Sequence, residues 1–173
     1  EIIDLDVLAS QTKEVLEENS VELFAELLAL NVSSAGARPK ALIGVDKERK
    51  NISFGAHQLS DGFEPWMVKF PNSQDGNDSG AIEYVYALMA TEAGIAMPNV
   101  HLFSSQKGNG YFAVKRFDRE GNKRLHMHTV SGLIHSNFRF PSLDYEDLLS
   151  LTSYLTKDIR EVEKMFRLAV FNV

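Results

Sequence analysis

Cysteine is absent from all 173 residues, so neither a disulfide framework nor a thiolate metal site is available, and a reducing cytoplasm suits the chain. Basic residues are the minority: 18 Lys and Arg stand against 24 Asp and Glu, a formal charge of -6. That balance argues against a surface built mainly for phosphate backbones or anionic lipid, and places any DNA contact on a partner. No apolar run approaches the length of a membrane span and no basic-then-apolar leader opens the sequence, which predicts a soluble, cytoplasmic protein without membrane contact. Repeats and low-complexity segments are also missing.

What is present is an ordinary globular composition, 44% hydrophobic, enough for one sizeable core or two small ones. Both ends look cut. The sequence opens on Glu1, and Ile159, Val162, Met165, Phe166, Ala169, Val170 and Val173 keep helical spacing to the last residue without a stop signal. The expectation is a fragment of a longer protein.

Apolar spacing predicts a helix marked by Val7, Leu8, Val15 and Leu16, and a second by Val21, Phe24, Leu27, Leu28 and Leu30, with Ser20 and Glu22 at its start. A loop of small residues follows, Ser33-Ser34-Ala35-Gly36-Ala37-Arg38-Pro39-Lys40. Lys40 to Val45 and Asn51 to Gly55 read as a hairpin around a charged turn. After the polar loop Asn72 to Gly80, a helix runs from about Ala81 to Ala93 with Ile82, Val85, Tyr86 and Met89 as its buried stripe, ending at Gly94. Asn99 to Ser104 and Tyr111 to Phe117 read as antiparallel strands, and Lys123 to His128 as an extension of their sheet. From Thr129 onward the pattern is helical, with Asp144 capping one helix and Asp158 with Glu161 spaced as a capping box for the last.

Between the hairpin and the first of these later helices lies Trp66-Met67-Val68-Lys69-Phe70-Pro71. Alternation sets Trp66, Val68 and Phe70 on one face and Met67 with Lys69 on the other. A lysine ammonium is costly to desolvate in mid-sheet unless an anion meets it. Glu83, with no helical partner four residues on, is one candidate, and a phosphate held by the small-residue loop is another. A strand lysine, a helix glutamate and such a loop are the parts with which a kinase grips ATP. The bland counterpart is a lysine at a sheet edge that snorkels to water.

Other signals are weaker. The loop is neither a Walker A sequence nor a GxGxxG, although small side chains let backbone N-H groups approach phosphate and Lys40 adds a cation. Asp75, Asn77, Ser79 and Gly80 sit at EF-hand positions, but Tyr86 stands where the bidentate glutamate belongs, which argues against calcium. His126 and His128 share a strand face without a third ligand, so no metal site is assigned. Lys115, Arg116, Arg119, Lys123 and Arg124 are diluted by Asp118 and Glu120 and read as a solvated hairpin.

Taken together, the loop Ser33 to Ala41, Val68-Lys69-Phe70-Pro71, Glu83-Tyr84, Ala113-Val114-Lys115-Arg116-Phe117-Asp118-Arg119 and Tyr145-Glu146-Asp147-Leu148 closely resemble the HipA-like toxin kinases, from about Asn31 to Val173. The resemblance implies an α+β fold: a protein-kinase-like N-lobe with an antiparallel sheet and a glutamate-bearing helix over residues 1–128, then the first helices of an all-α C-lobe over 129–173. It implies that Ala35, Gly36, Ala37, Arg38 and Lys40 bind ATP phosphates with Lys69, which Glu83 holds, and that Lys115, Arg116 and Phe117 meet the adenine largely through backbone groups. Ser33, or Ser34 beside it, matches the serine that family members autophosphorylate. ATP with Mg2+, a HipB-like helix-turn-helix antitoxin that carries the DNA contact, and a protein substrate, an aminoacyl-tRNA ligase, are the implied ligands and partners. The family's catalytic and magnesium-binding aspartates fall after the Phe-Asn-Val helix, and no residue here matches them, so no catalytic residue is assigned. Two other readings stand beside a Ser/Thr kinase: a catalytically dead kinase-like subunit of a repressor complex, and a small-molecule kinase on the same architecture.

Overall fold

The computed structural model describes residues 3–18, 32–33, 38–54, 59–72, 74–137, 139–140 and 143–173. The chain divides into two compact units, residues 1–88 with 97–125, and residues 89–96 with 126–173.

In the first unit, runs of β-branched, aromatic and aliphatic residues with period two form an antiparallel sheet. Its strands are β1 (Val32–Ser33), β2 (Lys40–Asp46), β3 (Ile52–Phe54), β4 (Phe63–Lys69), β5 (Val100–Phe103) and β6 (Tyr111–Lys115). The order is β1-β2-β4-β6-β5, with β3 also on β2. The β2–β3 turn is held by Asp46, whose carboxylate accepts the N-H groups of Lys50 (2.8 Å) and Asn51 (3.2 Å).

The predicted alternation holds: Trp66, Val68 and Phe70 are buried, with Ala41, Ile43, Val45, Tyr111 and Ala113 on the same face. Helix α1 (Leu5–Glu18) covers that face with Leu5 and Leu8, while Val7 is exposed. Its Thr12 is fully buried and satisfies its hydroxyl on the Leu8 carbonyl at 2.7 Å. A polar clamp adds to the apolar one. The Asp6 carboxylate accepts from Tyr111 Oη (2.8 Å), Ser105 Oγ (2.9 Å) and the Gln106 N-H (3.1 Å). The second helix expected over Val21 to Leu30 lies outside the described residues.

Helix α2 (Ser79–Glu92) departs from the expected pattern. Ile82, Val85, Tyr86 and Met89 are between 51% and 59% exposed, and the buried positions are Ala87 and Ala90. The reason is close approach at its start. A Cβ on Gly80 would lie 2.2 Å from the Gly110 carbonyl oxygen and 3.2 Å from the Phe112 nitrogen. The Asn109 N-H also donates to the Asn77 carbonyl at 3.0 Å, tying the β5–β6 turn to the residues leading into α2. Gly80, without a side chain, permits this approach, and the large side chains of the expected stripe are exposed.

A second correction concerns Lys123 to His128, which do not extend the sheet. Strands β7 (Arg119–Glu120) and β8 (Lys123–Arg124) form a separate two-stranded ribbon, and His126 and His128 lie outside any strand.

The second unit contains α3 (Val130–Leu133), α4 (Tyr145–Thr156) and α5 (Ile159–Phe171). Asp144 caps α4 as predicted, accepting the Asp147 N-H at 2.8 Å in a reciprocal box, and Lys157 in the left-handed region closes it. The box expected from Asp158 and Glu161 does not form. Asp158 accepts the Arg160 N-H at 2.9 Å, and Glu161 pairs with Lys164 at 2.6 Å. Gly94, at φ +75°, ends α2, and the Arg167 guanidinium donates to its carbonyl at 2.9 Å. No helix among the described residues is long and apolar enough to cross a membrane.

Two stability predictions follow from the first unit. Gly80→Ala should cost about 1–3 kcal/mol in denaturant unfolding, because the added methyl overlaps backbone that cannot swing aside; an unchanged midpoint would refute that close approach. Burial pushes the Asp6 carboxyl up, but the bonds from Tyr111, Gln106 and Ser105 outweigh it and hold it below 3.8. Its stabilisation is then complete above that value and lost as pH falls through the lowered folded one. Asp6→Asn should lower the melting temperature at neutral pH and shrink the further loss seen on acidification, as followed by circular dichroism.

Candidate functional site

Strand register decides which side chains share the face of Lys69. Lys40 stands opposite Lys69, Leu42 opposite Met67 and Gly44 opposite Pro65 in the β2–β4 pair, while Met67 stands opposite Val114 in β4–β6. The β4–β6 register carried one step in each direction sets Phe112 beside Lys69 and Arg116 beside Pro65. The Lys69 ammonium lies 5.4 Å from the centre of the Phe112 ring, and the Arg116 N-H donates to the Pro65 carbonyl at 2.9 Å. Three rows therefore cross this face: Lys40, Lys69 and Phe112; then Leu42, Met67 and Val114; then Gly44, Pro65 and Arg116. The middle row is apolar and half-buried. A cationic row lies beside an apolar shelf.

Lys69 is ion-paired with Glu83, the fifth residue of α2, and both side chains are about three-quarters buried. The cation is also over an aromatic face, so it has an anion on one side and π density on another. Glu83 receives a second cation, Arg38, at 3.5 Å. Arg38 grips Asp75 more closely, with Nε on Oδ2 at 2.9 Å and Nη2 on Oδ1 at 3.0 Å. Asp75 belongs to a self-braced turn: its Oδ2 accepts the Asn72 N-H at 2.9 Å, and its own N-H donates to Asn72 Oδ1 at 2.9 Å. That Asn72 bond first, and then Arg38, hold the Asp75 carboxyl below the usual range against the opposing effect of burial. Burial, and secondarily the Lys69 ammonium, push the Lys40 amine down, with Glu83 offsetting part of the shift.

Four of the predicted residues, Arg38, Lys40, Lys69 and Glu83, lie together. Ser34, Ala35, Gly36 and Ala37 lie outside the described residues. Ser33 is in β1, opposite Lys40. Arg116 lies at the opposite end of the same face, past the apolar row, whereas Lys115, opposite Trp66, belongs to the other face, and Phe117 follows the end of β6. The Lys115 N-H donates to the Asn99 carbonyl at 2.8 Å and its ammonium to Glu64 at 2.6 Å. Arg116 forms a bidentate pair with Asp118, at 2.9 and 2.7 Å, which Arg119 joins, and the Arg116 bonds foremost keep the Asp118 carboxyl low. These three basic residues are engaged in pairs, not solvated as expected. Phe117 is 66% exposed.

Two members of the site were missed. Asp75 was weighed only as a calcium ligand, because nothing in the sequence links it to Arg38, 37 positions earlier. Phe112 could have been found by extending the strand register from Lys69. Among the described residues, no group of three His, Asp or Glu side chains is placed to hold a metal.

A family model described as the HipA-like C-terminal domain matches residues 32–173. No curated protein matches the chain. The family match begins at β1 and runs through α5, taking in every residue of the cationic and apolar rows, and the chain belongs to the HipA-like family.

Proposed function

We propose that this region binds ATP as part of a HipA-like serine/threonine kinase, and that the full-length protein transfers the γ-phosphate to a protein hydroxyl, with an aminoacyl-tRNA ligase as the target class the resemblance implies. The observation that carries the reading is Lys69, paired with Glu83 and set between Lys40 and Phe112, next to the half-buried row Leu42, Met67 and Val114. Three cations, Arg38, Lys40 and Lys69, and two carboxylates, Glu83 and Asp75, gather at this end of the face, and a phosphate group suits such a cluster of donors. The apolar row lies about one strand repeat from the lysine row and offers half-buried side chains on which a base could rest.

Past that row, Pro65 receives the Arg116 N-H but has no N-H of its own to return. The ladder stops there. Backbone beyond it, at Arg116 and Phe117, is the part of the chain available to the edge of a base, while the side chains of Lys115 and Arg116 are committed to Glu64 and Asp118.

Phosphates suit this donor set; magnesium suits it less, since Glu83 and Asp75 are both bound to cations. The carboxylate that holds Mg2+ and the group that orients the attacking hydroxyl belong, by the resemblance, after Val173. The contribution of the present residues is to bind and orient the triphosphate and to stabilise its charge.

Ser33 stands opposite Lys40 in the β1–β2 pair. A phosphate on that serine, or on Ser34, would bring nearly two negative charges to the cations that ATP needs, so autophosphorylation would act as an inhibitor. A HipB-like antitoxin, with DNA contacted through it, completes the proposed setting of a toxin–antitoxin module.

Lys69→Met should abolish the rise in melting temperature that ATP gives the full-length protein; an unchanged shift would remove Lys69 from the site. Ser33→Ala should eliminate loop phosphate from the mass spectrum of protein incubated with ATP and Mg2+, and phosphate persisting there would reassign the modification to Ser34.

A further inference from the structure

Resting on the nucleotide reading, one carboxylate in the site has a role that the reading does not supply. Arg38 presents the Nε and Nη2 edge of its guanidinium to the two oxygens of Asp75, at 2.9 and 3.0 Å, and its Nη1 to Glu83 at 3.5 Å. That two-oxygen fork is the geometry in which a guanidinium holds a phosphate. Both cannot have the same edge of Arg38.

Asp75 does not depend on Arg38 for its position. Its turn is closed by Asn72, which donates its N-H to Asp75 Oδ2 (2.9 Å) and accepts the N-H groups of Asp75 (2.9 Å) and Gln74 (2.8 Å) on its side-chain oxygen. The carboxylate is 14% exposed, and the same Asn72 N-H favours its ionised form. It is a fixed anion with two oxygens presented to a cation, a few ångströms from the groups proposed to take the triphosphate.

We infer that Asp75 is an internal stand-in for phosphate, which competes with the nucleotide for Arg38 and thereby sets the affinity of the site below what its cations could give. When Arg38 turns from Asp75 to a phosphate, one charge-assisted fork is exchanged for another, and the net gain from that arginine is small. With Asp75 neutral, the exchange has no opposing partner. Arg38 then contributes its full attraction to the ligand. The link also joins nucleotide occupancy to the 72–78 turn that leads into α2, the helix that carries Glu83.

The test is titration calorimetry of ATP and, separately, adenosine into the full-length protein, as wild type, Asp75→Asn, Asp75→Ser, Arg38→Gln and the Asp75→Asn/Arg38→Gln double variant. The serine variant keeps an acceptor for the Asn72 N-H without the charge, and circular dichroism establishes that each protein is folded. Asp75→Asn and Asp75→Ser should tighten ATP binding about fivefold to twentyfold and leave adenosine binding unchanged. In the Arg38→Gln background, the Asp75 substitution should have little effect. Wild-type protein that binds ATP while the folded Asp75 variants bind it equally or more weakly would overturn the inference and leave the nucleotide reading intact. An equal gain without Arg38 would also overturn it, since simple removal of a negative charge would then explain the tightening. Failure of the folded wild type to bind ATP at all would overturn both.

Discussion

A cation in the middle of a sheet is the constraint around which this structure is arranged. Lys69 is the last residue of a central strand, which has β2 on one side and β6 on the other, and its side chain is about three-quarters buried. Removing an ammonium from water costs several kcal/mol unless another charge replaces the solvent, and Glu83 is that replacement. Placing Glu83 there requires α2 to lie close to the sheet, which in turn requires Gly80 to meet the β5–β6 turn without a side chain. The position of one helix thus follows from the electrostatics of one strand residue.

The same three strands carry the core on their other face. Trp66, Val68 and Phe70 alternate with Met67 and Lys69, so any slip of register that moved the lysine would also expose the core. Phe70 lies edge-on to Tyr111 with ring centres 5.3 Å apart, and Tyr111 donates its hydroxyl to Asp6 of α1. Phe112, under the lysine, is the next residue along β6. Helix α1 begins before the residues matched by the family model, yet its contacts end one residue away from a side chain that touches Lys69. Core packing on one side fixes charge geometry on the other.

Much of this was legible from residue order. Period-two alternation gave the two faces of β4, and the cost of burying a lysine demanded an anion, for which the unpartnered Glu83 was a natural candidate. What failed was whatever depended on distance between backbones. The apolar stripe of α2 has good helical spacing, but spacing alone does not say which face turns inward, and the close approach at Gly80, which only a residue without a side chain permits, is not visible in it. Lys115, Arg116 and Arg119 read as a diluted basic run because their partners, Glu64 and Asp118, become neighbours only through the β4–β6 register and the following turn. Asp75 was invisible for the same reason, being joined to Arg38 solely by the fold.

If the proposed nucleotide reading holds, the charge pattern also bears on how the site would discriminate. A pocket of three unopposed cations would take any polyanion, and specificity would fall to shape alone. Here each cation has a counter-charge or an electrostatic neighbour: Lys69 has Glu83, Arg38 has Asp75, and Lys40 is held down by burial and by the ammonium opposite. An anion with a single contact must break a pair and gains about as much as it loses. A ligand that also fills the row Leu42, Met67 and Val114 brings apolar burial to the same exchange, and the balance moves in its favour. On the proposed reading, phosphate joined to a flat, largely apolar group would then be preferred over phosphate alone, which follows from the pairing of the charges and not from their number.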